Sequence, residues 1–435
     1  MSSSERVQEY QRKLYLKAKQ EKDFRFYILY DKIFLHYIMA EAWKQVKANG
    51  GSAGIDGVTI EQIELYGVDK FLKELSEELR QQTYRPSAVK RVMIPKANGG
   101  ERPLGIPIIK DRVAQMACKL VIEPIFEADF EECSYGFRPN RSAKDAITKI
   151  KEHLKTGKTE VYDADLSKYF DTIPHDRLMV ALEQRIADKR VLKLIEKWLK
   201  APVYENGQYK GGKKNKVGTP QGGVISPLLS NLYLHLLDRI INSETSPFRK
   251  AGVMLVRYAD DFVLMGRKLE EASLSKLREL LNRMGLTLND EKSKLIKAKE
   301  MPFNFLGFAF RYDRSFKDPQ GGKFWNVKPS EKSLTKVRQN IGSALKDMGH
   351  YRAEDLVREL NAKIRGWVNY FEIPGVSYPY VAKAKLNYYL RLRLHTYFNR
   401  KSQRKSRLYR KQAFDLLVTK FGLIDPKKYR PTTCL

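Results

Sequence analysis

Three carboxylates give the first sign of chemistry in this chain. The segment Leu255-Val256-Arg257-Tyr258-Ala259-Asp260-Asp261-Phe262-Val263-Leu264-Met265 sets two adjacent aspartates between two apolar, strand-favouring runs. That pattern predicts a β-hairpin with an acidic tip. Like charges so close repel and raise each other's pKa, so the pair costs free energy unless cations lie beside it, and divalent metals are the expected occupants. An Asp-Asp pair is ordinarily only solvated turn chemistry. A third carboxylate argues otherwise: Asp165 falls at the end of a predicted buried strand, Val161–Leu166. Three carboxylates from two neighbouring strands offer the hard oxygen ligands that Mg²⁺ prefers. Two such ions roughly 3.5–4 Å apart can activate an attacking hydroxyl and stabilise the leaving oxygen of an in-line phosphoryl displacement. Asp163 and Asp171 lie on the same stretch, and Asp163 shares a face with Asp165 in a regular strand. Spacing does not choose among them.

The elements that must position these groups follow from periodicity and breakers. Residues 1–50 read as helical and basic and end at Asn49-Gly50-Gly51-Ser52-Ala53-Gly54. A helix is predicted over Ile60–Leu79. A hairpin follows, with strands at Val89–Ile94 and Arg102–Ile109 and a turn at Gly99-Gly100. Ile147, Ile150 and Leu154 mark one helix, and Leu228, Leu229, Leu232 and Leu236 mark another after Ser226-Pro227. A helix through Leu274–Met284 and an apolar run Phe303–Phe310 complete a region of mixed strands and helices, an α+β pattern. Beyond a Gly/Pro-rich break at Asp318–Gly322 the pattern turns wholly helical. Leu334, Val337, Ile341 and Leu345 define one stripe, Leu356, Leu360, Ile364 and Trp367 a second, and Val381–Tyr397 a third helix.

Composition says what the carboxylates would face. The chain has 435 residues, enough for two or three units, with 42% apolar and 30% charged residues. Its 81 Lys and Arg against 51 Asp and Glu give a net charge of +30, whereas solubility of a small domain needs only about 2–8. Such an excess implies a polyanionic partner, nucleic acid first and an anionic membrane surface second. No stretch approaches the roughly 18 apolar residues of a spanning helix, and the N-terminus lacks the apolar core of a signal peptide. Cys118, Cys133 and Cys434 are scattered and odd in number, which argues against a disulfide framework and for a reducing, bacterial-type cytoplasm, with nucleoid association in keeping with the charge. The residues from Lys383 to Leu435 hold 15 Lys/Arg against Asp415 and Asp425, with Tyr388, Tyr389, Tyr397, Phe398 and Tyr409 among them. Basic and aromatic residues together suit backbone neutralisation plus base stacking. Arg391, Arg393, Arg400, Lys401, Arg404 and Lys405 are therefore expected to meet nucleic acid.

The motifs, taken in order, resemble the reverse transcriptases encoded by group II introns, also called maturases. The resemblance runs from about Asn49 to Tyr370. It rests on Asn49–Gly57, which retroviral and retron enzymes lack; on Ile94-Pro95-Lys96 leading to Arg102-Pro103-Leu104-Gly105-Ile106-Pro107; and on Tyr135–Ser142. It continues through the Asp165 strand, Thr219–Leu228, Tyr258–Asp261, Asn289-Asp290-Glu291-Lys292-Ser293, Phe305-Leu306-Gly307-Phe308 and Gly366–Phe371. Gln221-Gly222 and Ser226-Pro227 match the intron type rather than the diversity-generating one.

The resemblance implies a right-hand polymerase, with a fingers–palm core followed by an all-α three-helix thumb or maturase domain. The implied divisions are an N-terminal extension at 1–85, fingers and palm at 86–315, thumb at 325–400 and a basic tail at 401–435. It implies that Asp165, Asp260 and Asp261 bind two Mg²⁺ ions, for which Mn²⁺ could substitute. Phe170 would be the steric gate beneath the incoming sugar, Lys96 and Arg102 would reach the triphosphate, Gln221 would contact the nucleotide, and Lys292 would assist at the metal or phosphate. Arg138 and Arg141 are expected in template or structural contacts. Implied partners are an RNA template with its DNA primer, dNTPs, intron RNA as a ribonucleoprotein and a DNA target, with no membrane. Many relatives carry a cysteine-rich zinc endonuclease; the six histidines here lie far apart without cysteine pairs, so none is expected. The alternatives are a host-recruited or defence-associated reverse transcriptase, or a splicing factor that uses its polymerase little.

Overall fold

The computed structural model describes residues 2–95, 100–212, 214–315, 322–349, 351–400, 408 and 412–431. Its contacts divide the chain into two compact units: Met1–Ser142, Tyr162–Leu264 and Leu269–Lys294 form the first, and Ala143–Val161, Met265–Lys268 and Leu295–Leu435 the second.

The first unit is built around the helix Ile109–Glu127, whose residues are buried almost all round. A helix apolar on every side has to sit inside, and the N-terminal helices Ser3–Gln20 and His36–Asn49 pack directly on it. The first of these begins with a reciprocal cap, in which the Ser2 side chain accepts from Glu5 N and the Glu5 side chain accepts from Ser2 N. The helix predicted over 60–79 is two helices, Ile60–Tyr66 and Val68–Arg80, because Gly67 between them adopts φ +106°. Strands β1 (Val89–Pro95) and β2 (Glu101–Ile106) form the expected antiparallel hairpin. They join a second hairpin, β4 (Pro202–Glu205) and β5 (Gln208–Gly211), in the order β2-β1-β4-β5. That second hairpin turns at Asn206-Gly207, both at positive φ, and pairs Tyr204 with Tyr209 across its strands at 5.1 Å.

A four-stranded sheet carries the candidate site. Its order is β6-β7-β3-β8, with β3 at Glu160–Ala164, β6 at Met254–Tyr258, β7 at Asp261–Gly266 and β8 at Lys294–Lys297. The helix Ser226–Asn242 packs against β6 and buries Leu228, Leu229 and Leu232.

The second unit contains the sheet β11-β10-β9, formed by β9 (Phe303–Phe305), β10 (Phe308–Arg314) and β11 (Lys323–Pro329). The apolar run predicted at 303–310 is therefore a hairpin, turning at Leu306-Gly307 with positive φ at both residues. The predicted helices are Glu331–Asp347, Ala353–Phe371 and Tyr380–Arg400. A further helix, Ala413–Phe421, packs against the last two of these.

Candidate active site

Asp165 follows β3 directly, and the block Asn289–Ser293 cradles it. Its N–H donates to Ser293 Oγ at 3.2 Å, its carbonyl accepts from Asn289 N at 2.8 Å, and Ser167 N donates to Thr287 O at 2.9 Å. Lys292 Nζ lies 2.8 Å from Asp165 Oδ2, and this hydrogen bond holds the ammonium pKa above its ordinary value.

The two aspartates of the hairpin are placed differently from a shared tip. The turn is Ala259-Asp260, and Asp261 already begins β7, so the pair straddles the turn and strand. Burial raises the Asp260 carboxyl, Arg102 counteracts this, and Asp165 raises it further. Asp261 is exposed at the surface but crowded on its inner side. Desolvation and then Asp260, Asp165 and Asp163 push its carboxyl up to about 6. Asp163 also rises to about 6, first through burial and then through Asp165. The four carboxylates thus share one electrostatic environment. Among the described residues no three His, Cys, Asp or Glu side chains converge tightly enough to hold an ion as they stand.

Two predicted blocks meet beside them. Arg102 Nε donates to Gln221 Oε1 at 3.0 Å, and Gly105 N donates to Gln221 O at 2.5 Å. Gly222, at φ +111°, lies so close to Gly105 that a Cβ would overlap the Gly105 carbonyl oxygen. The Phe170 ring is buried, 5.5 Å from Tyr169, whose hydroxyl donates to Ser230 O at 2.7 Å. Thr219 N donates to Phe170 O at 2.7 Å, tying Phe170 to the loop that carries Gln221.

The basic residues divide. Arg138 is buried, forks onto Glu127 and donates to the carbonyls of Glu131 and Ser134, so its place is structural and its guanidinium is not free for a template. Arg141 pairs with Glu132 at 2.6 Å. Arg391 forks onto Asp415 through two 2.7 Å hydrogen bonds, an engagement that charge counting did not foresee. Arg393 lies 6.0 Å from the Tyr389 ring centroid. Lys96, Lys401, Arg404 and Lys405, and the side chain of Arg400, lie outside the described residues.

Sequence reasoning passed over the groups that hold the hairpin. Arg257 and Asp238 are wholly buried and form an ion pair at 2.5 Å. The available signal was an arginine inside the apolar run Leu255-Val256, where a charge needs a partner.

Comparison with known proteins accords with this geometry. Residues 94–310 match the reverse transcriptase (RNA-dependent DNA polymerase) family, and residues 334–414 match the group II intron, maturase-specific domain. Protein YkfC of Escherichia coli is 36% identical over 345 residues, which is 71% of this chain and 89% of that one. The group II intron-encoded protein LtrA of Lactococcus lactis is 31% identical, covering 65% of this chain and 56% of LtrA. An uncharacterized 91 kDa protein in the cob intron of Schizosaccharomyces pombe is 33% identical over 55% of this chain and 30% of its own. A partial Cas6-RT-Cas1–Cas2 complex aligns at a TM-score of 0.35 with 22% identity, covering 58% of this chain and 42% of that one, too slight a likeness to argue from. A mixed-sheet polymerase core followed by a helical maturase domain defines the class. The chain belongs to the group II intron reverse transcriptase/maturase family.

Proposed function

We propose that this reverse transcriptase copies RNA into DNA with Asp165, Asp260 and Asp261 as the ligands of two Mg²⁺ ions. The observation that supports this is the placement of these carboxylates at the ends of the two central strands of the β6-β7-β3-β8 sheet, Asp165 just after β3 and Asp260-Asp261 at the entry to β7, where they raise one another's pKa. The donor set is all carboxylate oxygen, the type Mg²⁺ selects. Bound there, the ions supply activation of the primer 3′-hydroxyl and neutralisation of the triphosphate. The chain's own residues do the rest. Arg102, already on Gln221 and within electrostatic reach of Asp260, offsets phosphate charge together with Lys96. Lys292, paired with Asp165 at 2.8 Å, would turn to a phosphate oxygen if cations occupied the carboxylates. Gln221 borders the nucleotide, and the buried Phe170 ring excludes a 2′-hydroxyl.

Family membership brings a second role, assistance to intron RNA splicing, which we assign to the maturase-specific residues 334–414 and the basic surfaces rather than to the carboxylates. The expected divisions at 1–85, 86–315, 325–400 and 401–435 remain our working assignment. Among the described residues no helix is long and apolar enough to cross a membrane, and we place the protein's work in the cytoplasm. Asp260→Ala should abolish primer extension on an RNA template and leave RNA binding intact, since the substitution touches no basic surface. Continued extension by that variant would remove the metal-site assignment. Failure of the purified protein to accelerate splicing of any RNA flanking its gene would remove the second role.

A further inference from the structure

The turn that presents Asp260 is an unusual backbone. Ala259 has φ +58°, in the left-handed region that residues with a Cβ seldom occupy. Such a conformation persists only where its surroundings over-determine it. Here the surroundings converge on Arg257. Its Nη1 donates to Ala259 O at 3.0 Å and to Asn231 Oδ1 at 2.9 Å. Its Nε and Nη2 fork onto Asp238 at 2.8 and 2.5 Å. Neither Arg257 nor Asp238 is exposed at all.

The same network reaches the other side of the turn. Asn231 Nδ2 donates to Gly136 O at 2.6 Å. Tyr135 N donates to Arg257 O, and Arg257 N donates to Cys133 O, at 2.9 and 2.8 Å. Gly136 lies so close beneath the turn that a Cβ there would overlap Ala259 N and crowd Tyr258 C. The left-handed residue is thus held from within by one guanidinium and from beneath by one glycine. Both are anchored to the helix Ser226–Asn242 through Asn231 and Asp238.

We propose that Arg257 is a positioning residue for polymerisation: it bonds the Ala259 carbonyl, fixes the left-handed turn and thereby sets where the Asp260 and Asp261 carboxylates stand. The proposal rests on the reading of Asp260 and Asp261 as metal-bearing. A guanidinium is needed because only a rigid fork serves Asp238, Asn231 and Ala259 at once. Arg257 touches no reacting atom, so its effect should fall on turnover and metal requirement rather than on substrate affinity.

The test uses four variants of the full chain, three at the turn and its anchor and the fourth Asp260→Ala. Removing Arg257 alone would strand a buried carboxylate, so it is replaced together with its partner, Arg257→Met with Asp238→Leu, a type of exchange that often preserves folding. Arg257→Lys keeps the charge but not the fork. Gly136→Ala displaces the turn from the opposite side. In primer extension on RNA, each folded variant of the first three should show kcat lowered, by about 10²-fold for the double variant. Half-saturation should move to higher Mg²⁺, with KM for dNTP and primer–template affinity unchanged. Wild-type kcat in a folded double variant or in folded Arg257→Lys overturns the proposal, as does a loss confined to KM. Should the double variant fail to fold, Arg257→Lys and Gly136→Ala decide by the same criteria. Asp260→Ala separates the two levels. If it remains active the metal-site reading itself falls, whereas if it is inactive beside fully active Arg257 variants only the positioning role falls.

Discussion

At the residue scale the candidate site is a set of carboxylates that raise one another's pKa. Burial and then neighbouring carboxylates push Asp163 and Asp261 up to about 6, against about 3.9 for an unperturbed Asp. A raised folded-state pKa means that the folded chain holds more protons than the unfolded chain between roughly pH 4 and 6, so metal-free stability falls as pH rises through that window. Above it the carboxylates are charged and mutually repelling, and Mg²⁺ bound at the proposed site would relieve the repulsion. Mg²⁺ should therefore raise the melting temperature more at pH 8 than at pH 5 in thermal scans. Asp261→Asn should raise the metal-free melting temperature at pH 8 while reducing the Mg²⁺ response. An equal Mg²⁺ shift at both pH values would mean that the ion binds elsewhere.

At the element scale the C-terminal segment behaves as a clasp on the helices of the second unit. Asn361 Nδ2 donates to Gly422 O at 2.9 Å and its Oδ1 accepts from Ile424 N at 2.8 Å. Asn387 Nδ2 donates to Asp425 Oδ1 at 2.7 Å. Lys383, fully buried, donates to Glu372 Oε2 at 2.7 Å and to Tyr429 O at 2.6 Å. A basic count alone assigns these residues to nucleic acid, yet several of their polar groups are engaged within the protein. Lys383→Met would leave a largely buried Glu372 short of its inner partner, although Arg430 still pairs with it at 3.1 Å. The expected cost is about 3 kcal/mol, from the range for breaking a buried pair, read by urea denaturation. A change below the resolution of that measurement would show that the clasp contributes little.

At the scale of the whole molecule the charge of +30 sets the terms of association. Each phosphate neutralised releases counterions, so log affinity should fall linearly with log salt. A footprint of 6–10 phosphates would lose about 10³–10⁵ in affinity between 50 and 200 mM salt. RNA binding measured across that range should show such a slope, and Asp260→Ala should leave the slope unchanged. Salt-independent binding would assign recognition to stacking and hydrogen bonds instead.

Much of this protein was legible without coordinates, and the reasons are local. Asp260 and Asp261 stand out because adjacent carboxylates beside apolar strands are costly, whereas Asp165 is preferred to Asp163 and Asp171 only through the family resemblance. The β1–β2 hairpin and the helices at 331–400 follow from turn residues and periodicity, which act over a few positions. The β4–β5 hairpin carried an equally local signal in Asn206-Gly207 that was simply passed over, whereas the division of the 60–79 helix turned on the single φ of Gly67. What only the tertiary structure decided is which distant groups meet. Ser293 supports the backbone of Asp165, Gln221 takes Arg102, Arg138 turns inward to Glu127, and Asn231, Asp238 and Gly136 converge on Arg257. Residue type and spacing fix which chemistry a segment can perform. Burial and long-range pairing fix which polar groups must be satisfied inside, and so which charges are left to meet the substrate.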